Sequence, residues 1–479
     1  MTVGLGNTKD LSPMRWPPMI GAILVLTAAA LGQSSNASEA ALPSAPAPQT
    51  DSAKTASTSN AASRQVGPSQ TSNASNMLSV HDAQALALKN NPQISVARLN
   101  ALASRQVTRE VRSSLWPTAS VALTAVGANP GTRITAGAIN NPIIYERAAA
   151  GAMVSQLLTD FGRTHNLVAS AELAAKAEDQ NAIASKEQIL LAVDQSFYAA
   201  LQAQAVLTVA EQTVKDRQTV SDQIGALYRS KLKSELDFSF ANVNLAQAKL
   251  LLVDAQNNLS AAHASLSAVL GYASLQNFQL VEDTTTPGAP PDNIDDLISV
   301  AFTMRPEVLA LEFQAESAKR FQQAERDLLF PDIRALGVVG DTPVRNPEVS
   351  SWYGAVGVNV NIPVFNGFLF TAKSREASIR AQAAQERLRD VRDTIARDVR
   401  TSWLNAKAAH ERLDVTEQLL EQANLALNFA QSRYKLGLGS IVELSQAQLQ
   451  QTQAQIANAQ AGYDYRLSLA MLQYQTRGI

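Results

Sequence analysis

Between Leu388 and Tyr434 small and apolar residues recur at alternating spacings of four and three. One row is Leu388, Ile395, Ser402, Ala409, Thr416, Ala423 and Ala430; the other is Arg392, Val399, Ala406, Leu413, Leu420, Leu427 and Tyr434. A seam of this period predicts a helix coiled left-handedly against a neighbour. Taken from about Asn366 to Leu436, that helix has on the order of 70 residues and reaches roughly 100 Å. A second set spaced by seven (Val442, Leu449, Ile456, Tyr463 and Ala470) predicts a returning helix over Ser440–Gln475, with that set as its seam.

The two helices meet at Tyr434–Gln446, YKLGLGSIVELSQ. Gly437 and Gly439 interrupt helix propensity and can take positive φ at little cost. Ser440 followed by Glu443 matches a capping box, so a new helix starts there. The same event occurs at Tyr228–Gln247, where Ser234 and Asp237 replace Ser440 and Glu443; 434 − 228 = 206 and 443 − 237 = 206. The chain therefore reads as a tandem repeat. In the first copy the long helix runs from about Asp160 to Leu227 and its return from Ser234 to Leu270.

Upstream of each long helix the pattern changes. Pro92 and Pro306 each start a helix of about 24 residues, which Trp116-Pro117 and Phe330-Pro331 stop. Extended sequence follows in both copies. The clearest strand is Ser351–Val364, in which Val356, Val358, Val360 and Ile362 alternate with Gly357, Asn359 and Asn361. Such a strand fits a membrane β-barrel, lipid on one side and water on the other; a half-buried sheet in a soluble protein permits the same alternation. Trp352 and Tyr353 at its start fit an interfacial girdle. The first-copy counterpart, Tyr145–Leu158, has a weaker pattern. A connection rich in Gly, Asn and Pro precedes it and reads as an exposed loop, with a shorter one in the second copy. Each copy thus reads helix, strand, strand, very long helix, turn, medium helix.

Residues 1–32 carry Lys9 and Arg15 before the apolar run Met19–Ala30, as an export signal does. Residues 33–77 are rich in Ser, Ala and Pro and read as a disordered arm. The repeats are then 78–281 and 294–479, joined by a Pro/Gly-rich linker over 282–293. Net charge is −2 and the pI near 6.2, which gives no field for recruiting nucleic acid. The Arg-rich stretch Arg387–Arg400 is interleaved with Asp390, Asp393 and Asp398 and reads as a solvated face. There is no cysteine and only four scattered histidines, and no phosphate loop or nucleophile elbow, so no catalytic, cofactor or metal site is expected. Without a cysteine, an N-terminal lipid-modified one is not expected. The body of the chain has no apolar run long enough for a membrane helix.

Four strands cannot close a barrel in lipid, where the smallest have about eight. The element order, the duplication, the LFDG-like Val364-Phe365-Asn366-Gly367 and the YKLGLGSIVEL turn resemble the TolC-type outer membrane efflux protein family, over about Leu78–Arg477. The resemblance implies a mainly α fold with a small β part: a homotrimer closing one twelve-stranded outer membrane barrel, continuous with a periplasmic α-helical barrel. It also implies a passive exit duct for efflux or type I secretion, working with a periplasmic adaptor and an inner-membrane pump or transporter. By position, the adaptor-docking tip is Tyr228, Leu232, Ser234, Tyr434, Gly437, Leu438, Gly439 and Ser440. Lys231 and Lys233 stand where the second copy has glycines, so unequal tips are expected. The family's aperture acids fall on Asp237 and Glu443, a further acid position on Gln446, and a basic one on Gly439. An acid at these places also suits the first turn of a helix, so capping and lumen-facing roles are both open. A soluble periplasmic coiled-coil adaptor or structural protein is the competing reading; it would not need amphipathic strands in both copies.

Overall fold

The computed structural model describes residues 77–127, 147–282, 287–342 and 350–477. The export signal and all of the arm but Met77 lie outside these, as do the first interstrand connection over 128–146 and most of the second.

Each copy opens with a short helix that the pattern along the chain does not reveal: α1 (Val80–Asn90) and α5 (Ile294–Met304). Ser79 and Asp82 form a full capping box on α1, and Asn293 caps α5 through the Asp295 amide. The proline-started helices follow as α2 (Pro92–Ser113) and α6 (Pro306–Asp327), each 22 residues. Strands β2 (Thr118–Val126) and β3 (Arg147–Thr159) lead to α3 (Arg163–Arg229) and α4 (Glu235–Val269). The second copy repeats this with β5 (Asp332–Asp341), β6 (Trp352–Asn361), α7 (Leu369–Lys435) and α8 (Ile441–Arg477). Both long helices have 67 residues, about 100 Å. A two-residue strand β1 (Met77–Leu78) pairs in parallel with β4 (Gln279–Leu280), tying the start of the first copy to its end. Among the described residues no helix is long and apolar enough to cross a membrane.

Repeat-equivalent positions build equivalent cores. Ile189 and Val193 of α3 sit under α1, while Ile395 and Val399 of α7 sit under α5; 395 − 189 = 206. Every position of the α7 seam is buried or half-buried. On α8 the seven-spaced set is only partly covered: Val442 and Leu449 are exposed, while Ile456, Tyr463 and Ala470 are half-buried, and the buried line nearer the tip is Ile441, Leu444, Gln448 and Thr452. Here α8 packs against both α7 and α3, and Val442 and Leu449 fall on the face that neither covers.

The four long strands form one antiparallel sheet in the order β2-β3-β5-β6, and among the described residues β2 and β6 are its open edges. Directly paired residues share a face. One face carries Val121, Val154, Val339, Val356 and Val358, all exposed; the other carries Thr118, Ser120, Ser155, Arg334, Asn359 and Asn361. Gln156 falls on the apolar face, where its amide donates to the Leu115 and Leu157 carbonyls. Trp352 lies on the apolar face and folds over Gly354, but Tyr353 does not share it. Alternation puts Tyr353 on the polar face, which corrects its expected place beside Trp352 in a girdle.

Candidate functional site

Both hairpins end in a Schellman turn. The Leu438 amide donates to the Arg433 carbonyl at 2.8 Å in one, and the Leu232 amide to the Leu227 carbonyl at 2.8 Å in the other. The left-handed position is Gly437 (φ 75°) in the second copy and Lys231 (φ 61°) in the first. A lysine there costs about 1–2 kcal/mol in backbone energy that glycine avoids. Gly439 is not left-handed, contrary to the reading that gave both glycines that role. It supplies room: a methyl group there would lie 3.2 Å from both Arg433 Cβ and Glu443 Oε2.

The caps differ as well. Ser234 and Asp237 make the full box: the Asp237 amide donates to Ser234 Oγ (3.1 Å), and Asp237 Oδ2 accepts from the Ser234 amide (3.2 Å) and hydroxyl (2.7 Å). In the second copy only half forms. The Glu443 amide donates to Ser440 Oγ at 3.1 Å, while its carboxylate turns to Arg433 Nε at 3.1 Å. Arg433 also reaches the Leu438 carbonyl, so one guanidinium spans the turn. The first copy has Leu227 at the matching position and cannot copy this pair.

The two tips pack together. Tyr434 is buried among Ile224, Ala241, Leu427, Ile441 and Leu444, with Phe238 and Phe240 against the cluster. Lys233 Nζ lies 3.9 Å from the centre of the Tyr434 ring, a cation–π contact from one hairpin to the other. The Tyr434 hydroxyl is enclosed without a well-formed hydrogen bond; enclosure first, then the neighbouring Asp237 carboxylate, pushes the phenol up to about 12. Tyr228 stacks on Phe238 at 5.5 Å and 10°. Higher up, Asn244 donates to Ser445 Oγ at 2.7 Å. Buried Arg217 of α3 donates to the Gln448 carbonyl (2.8 Å) and Thr452 Oγ1 (3.0 Å) of α8. Burial holds its pKa below the usual range, partly offset by Asp216. Lys233, Arg433 and Arg217 were not singled out for these contacts, because each reaches a partner in another helix.

Of the tip residues singled out from the sequence, Tyr434 is inside the packing. Tyr228, Leu232, Ser234, Gly437, Leu438 and Ser440 are exposed, and Gly439 is half-buried. Leu232, Leu436 and Leu438 are each at least 70 % exposed, so the end of the hairpin pair is an apolar surface. Asp237 is half-buried; Glu443 and Gln446 are exposed. Hydrogen-bonding and apolar groups arranged in this way can hold a partner or a shape.

The sequence matches the outer membrane efflux protein family over residues 84–272 and 297–474. The outer membrane efflux protein BepC of Brucella suis biovar 1 (strain 1330) is 23% identical over 328 residues, covering 66% of this chain and 68% of that protein. The outer membrane protein TolC of Vibrio cholerae serotype O1 is 25% identical over 401 residues, covering 81% and 87%. Among solved structures, CusC superposes with a TM-score of 0.74 at 18% identity, over 84% of this chain and 92% of that one. With the duplicated element order and the matched span both on the chain, it belongs to the outer membrane efflux protein family.

Proposed function

We propose that the chain is the outer membrane exit duct of a tripartite efflux or type I secretion assembly, delivered across the inner membrane by residues 1–32. The observation that carries this is the four-stranded sheet. It is apolar on one face and more polar on the other, and among the described residues both its edges are open. Unpaired strand edges are not tolerated in lipid, so the sheet must close with further copies of itself. Three chains of four strands would give the twelve-stranded barrel of a homotrimer. Exposed Leu236, Val243 and Leu250, spaced by seven on α4, supply an unfilled seam that a neighbouring copy would cover in the helical part.

Exposed aromatics support the placement in a bilayer. Trp116, Phe161, Phe330, Phe365 and Phe368 sit at the four strand–helix junctions, with Phe161 and Phe330 5.9 Å apart and Phe365 and Phe368 5.8 Å apart. They would mark the periplasmic interface, with Trp352 at the outer one. The helical tube then reaches inward by about 100 Å. At its end the exposed leucines with Tyr228, Ser234, Gly437, Gly439 and Ser440 form the surface for a periplasmic adaptor that links to an inner-membrane pump. Asp237, Glu443 and Gln446 are the aperture positions, with Asp237 engaged in its cap and Glu443 with Arg433. Relatives named as a toluene efflux pump protein and an antibiotic efflux pump protein favour small organic cargo.

Membrane fractionation tests this. The chain should sediment with the outer membrane and run as an oligomer in mild detergent that collapses to monomer on boiling. Recovery in the soluble periplasm as a monomer would overturn the reading.

A further inference from the structure

Tyr353 occupies an unusual seat. It pairs with Gly340 on β5, and Gly340 with Gly151 on β3, so two glycines lie beside it in one row across the sheet. A methyl group at Gly340 would lie 2.5 Å from the Tyr353 hydroxyl oxygen and 2.6 Å from its Cζ. One at Gly151 would lie 3.0 Å from that oxygen. The phenol therefore extends from β6 across β5 toward β3, flat on the sheet, in space that any other residue would fill. Its outer face stays open, the residue being 45% exposed. The adjoining rows of the same face hold Val338 and Met153, then Leu336 beside Ser155. Nearer the helices the face becomes polar: Arg334 and Asn359, then Asp332 and Asn361, with Asp332 accepting from both Arg334 and Asn361.

This face is the less apolar of the two and is the lumen wall of the channel proposed above, on which the inference rests. A flat ring with one free π face, approached over Leu336, Val338 and Met153, has the chemistry to hold planar aromatic solutes by offset stacking. We propose that Tyr353 is a stacking platform in the outer part of the lumen, giving the duct weak affinity for planar aromatic cargo. If the ring served only to cover the glycine backbone, its open face would have no effect on passing solutes.

Single-channel recording of the full chain in planar bilayers tests this, with 9-aminoacridine as the planar aromatic probe and tetraethylammonium as a cation without a ring. The aromatic probe should cause brief current reductions in the wild type. Their dwell time should fall about three- to tenfold in Tyr353→Leu and Tyr353→Ser, given the usual strength of an aromatic pair. Tyr353→Phe should keep it, as should Trp352→Leu on the opposite face. Equal dwell times in Tyr353→Leu and wild type, or equal reductions with tetraethylammonium, would overturn the platform. Absence of any wild-type conductance would overturn the channel reading and the platform with it. In the unsubstituted protein, 9-aminoacridine should slow nitration of Tyr353 by tetranitromethane, read by mass spectrometry of its peptide. Nitration at an unchanged rate would overturn the platform without any variant having to fold.

Discussion

Asp194 is a carboxylate in the wrong solvent, and its replacement by asparagine should stabilise the protein at neutral pH. It lies on α3 and is 6% exposed, close to the core that α1 closes over, and accepts a hydrogen bond from Gln84 Nε2 at 2.7 Å. Burial raises its pKa from 3.8 to about 6, against the opposing effects of the Gln84 bond and the charge of His81. Between about pH 4 and pH 6 the folded chain therefore holds a proton that the unfolded chain has released. Stability falls as pH rises through that window, and the ionised group is a constant cost above it. At about 1.36 kcal/mol per pH unit the cost is ~3 kcal/mol at most. Asp194→Asn keeps an acceptor for Gln84 and removes the charge. With an unfolding entropy of about 2.1 cal/mol/K per residue over the chain, the gain corresponds to a rise of roughly 3 °C in thermal midpoint. The assay is loss of helical circular dichroism in detergent from pH 4 to pH 8. The variant should gain most above pH 6 and converge on the wild type near pH 4. A variant that is equally or less stable at every pH would refute the reasoning, since it would mean that the carboxylate is solvated or paired in the folded state.

Glu187, one heptad earlier, is raised to about 7 by burial and then by the charge of Glu307. Being only half-buried, it should give a smaller gain on Glu187→Gln, ~1 kcal/mol, lost as the pH falls from about 7 toward 4.5, and the same melting series reads it. Lys231→Gly should stabilise the first tip by about 1 kcal/mol, and Gly437→Ala should destabilise the second by about as much, because both positions are left-handed; thermal midpoints check the pair. Tyr434→Ala should cost about 3–5 kcal/mol, whereas Tyr434→Phe should stay within about 1 kcal/mol because the hydroxyl has no well-formed partner, as chemical denaturation would show. Glu443→Ala should lower cation preference in bilayer recordings more than Asp237→Ala, whose carboxylate is spent on its cap; the reverse order would argue against Glu443 as an aperture residue.

Long-range order was readable wherever a local signal was strong and repeated. Proline at the first position of α2 and α6 and the two tip turns recur at near-constant offsets. The 67-residue helices carry enough heptads for their period to be unmistakable. What escaped detection depended on short elements or on neighbours. The 11-residue α1 and α5 and the two-residue β1 and β4 are too short for periodicity to speak, although Ser79 with Asp82 repeats the capping pattern recognised at the tips. On α8 a seven-spaced row was visible, but a helix with partners on two sides has more than one such row. Packing against α7 and α3 together selects Ile441, Leu444 and Gln448 as the buried one.

The tips show why a duplication must be read residue by residue. Both turns share three equivalent closing backbone bonds, the second adding one from the Gly439 amide to the Arg433 carbonyl, so either could pass for the other in a pattern search. Their side chains divide the work. The second copy uses Gly437 to relax the turn and Gly439 to make room for Arg433 and Glu443. The first accepts a left-handed Lys231 and places Lys233 where Gly439 would be, and that lysine reaches the Tyr434 ring of the other hairpin. The lysine substitution that looks like decay of the turn motif thus adds a contact between the two tips beside their shared apolar cluster. A Lys233→Gly change, restoring the motif, should loosen the pair of hairpins by removing the cation–π contact, worth about 0.5–2 kcal/mol. Hydrogen exchange at the start of α4 would report it as faster opening, and unchanged protection there would mean that the apolar cluster alone holds the tips together.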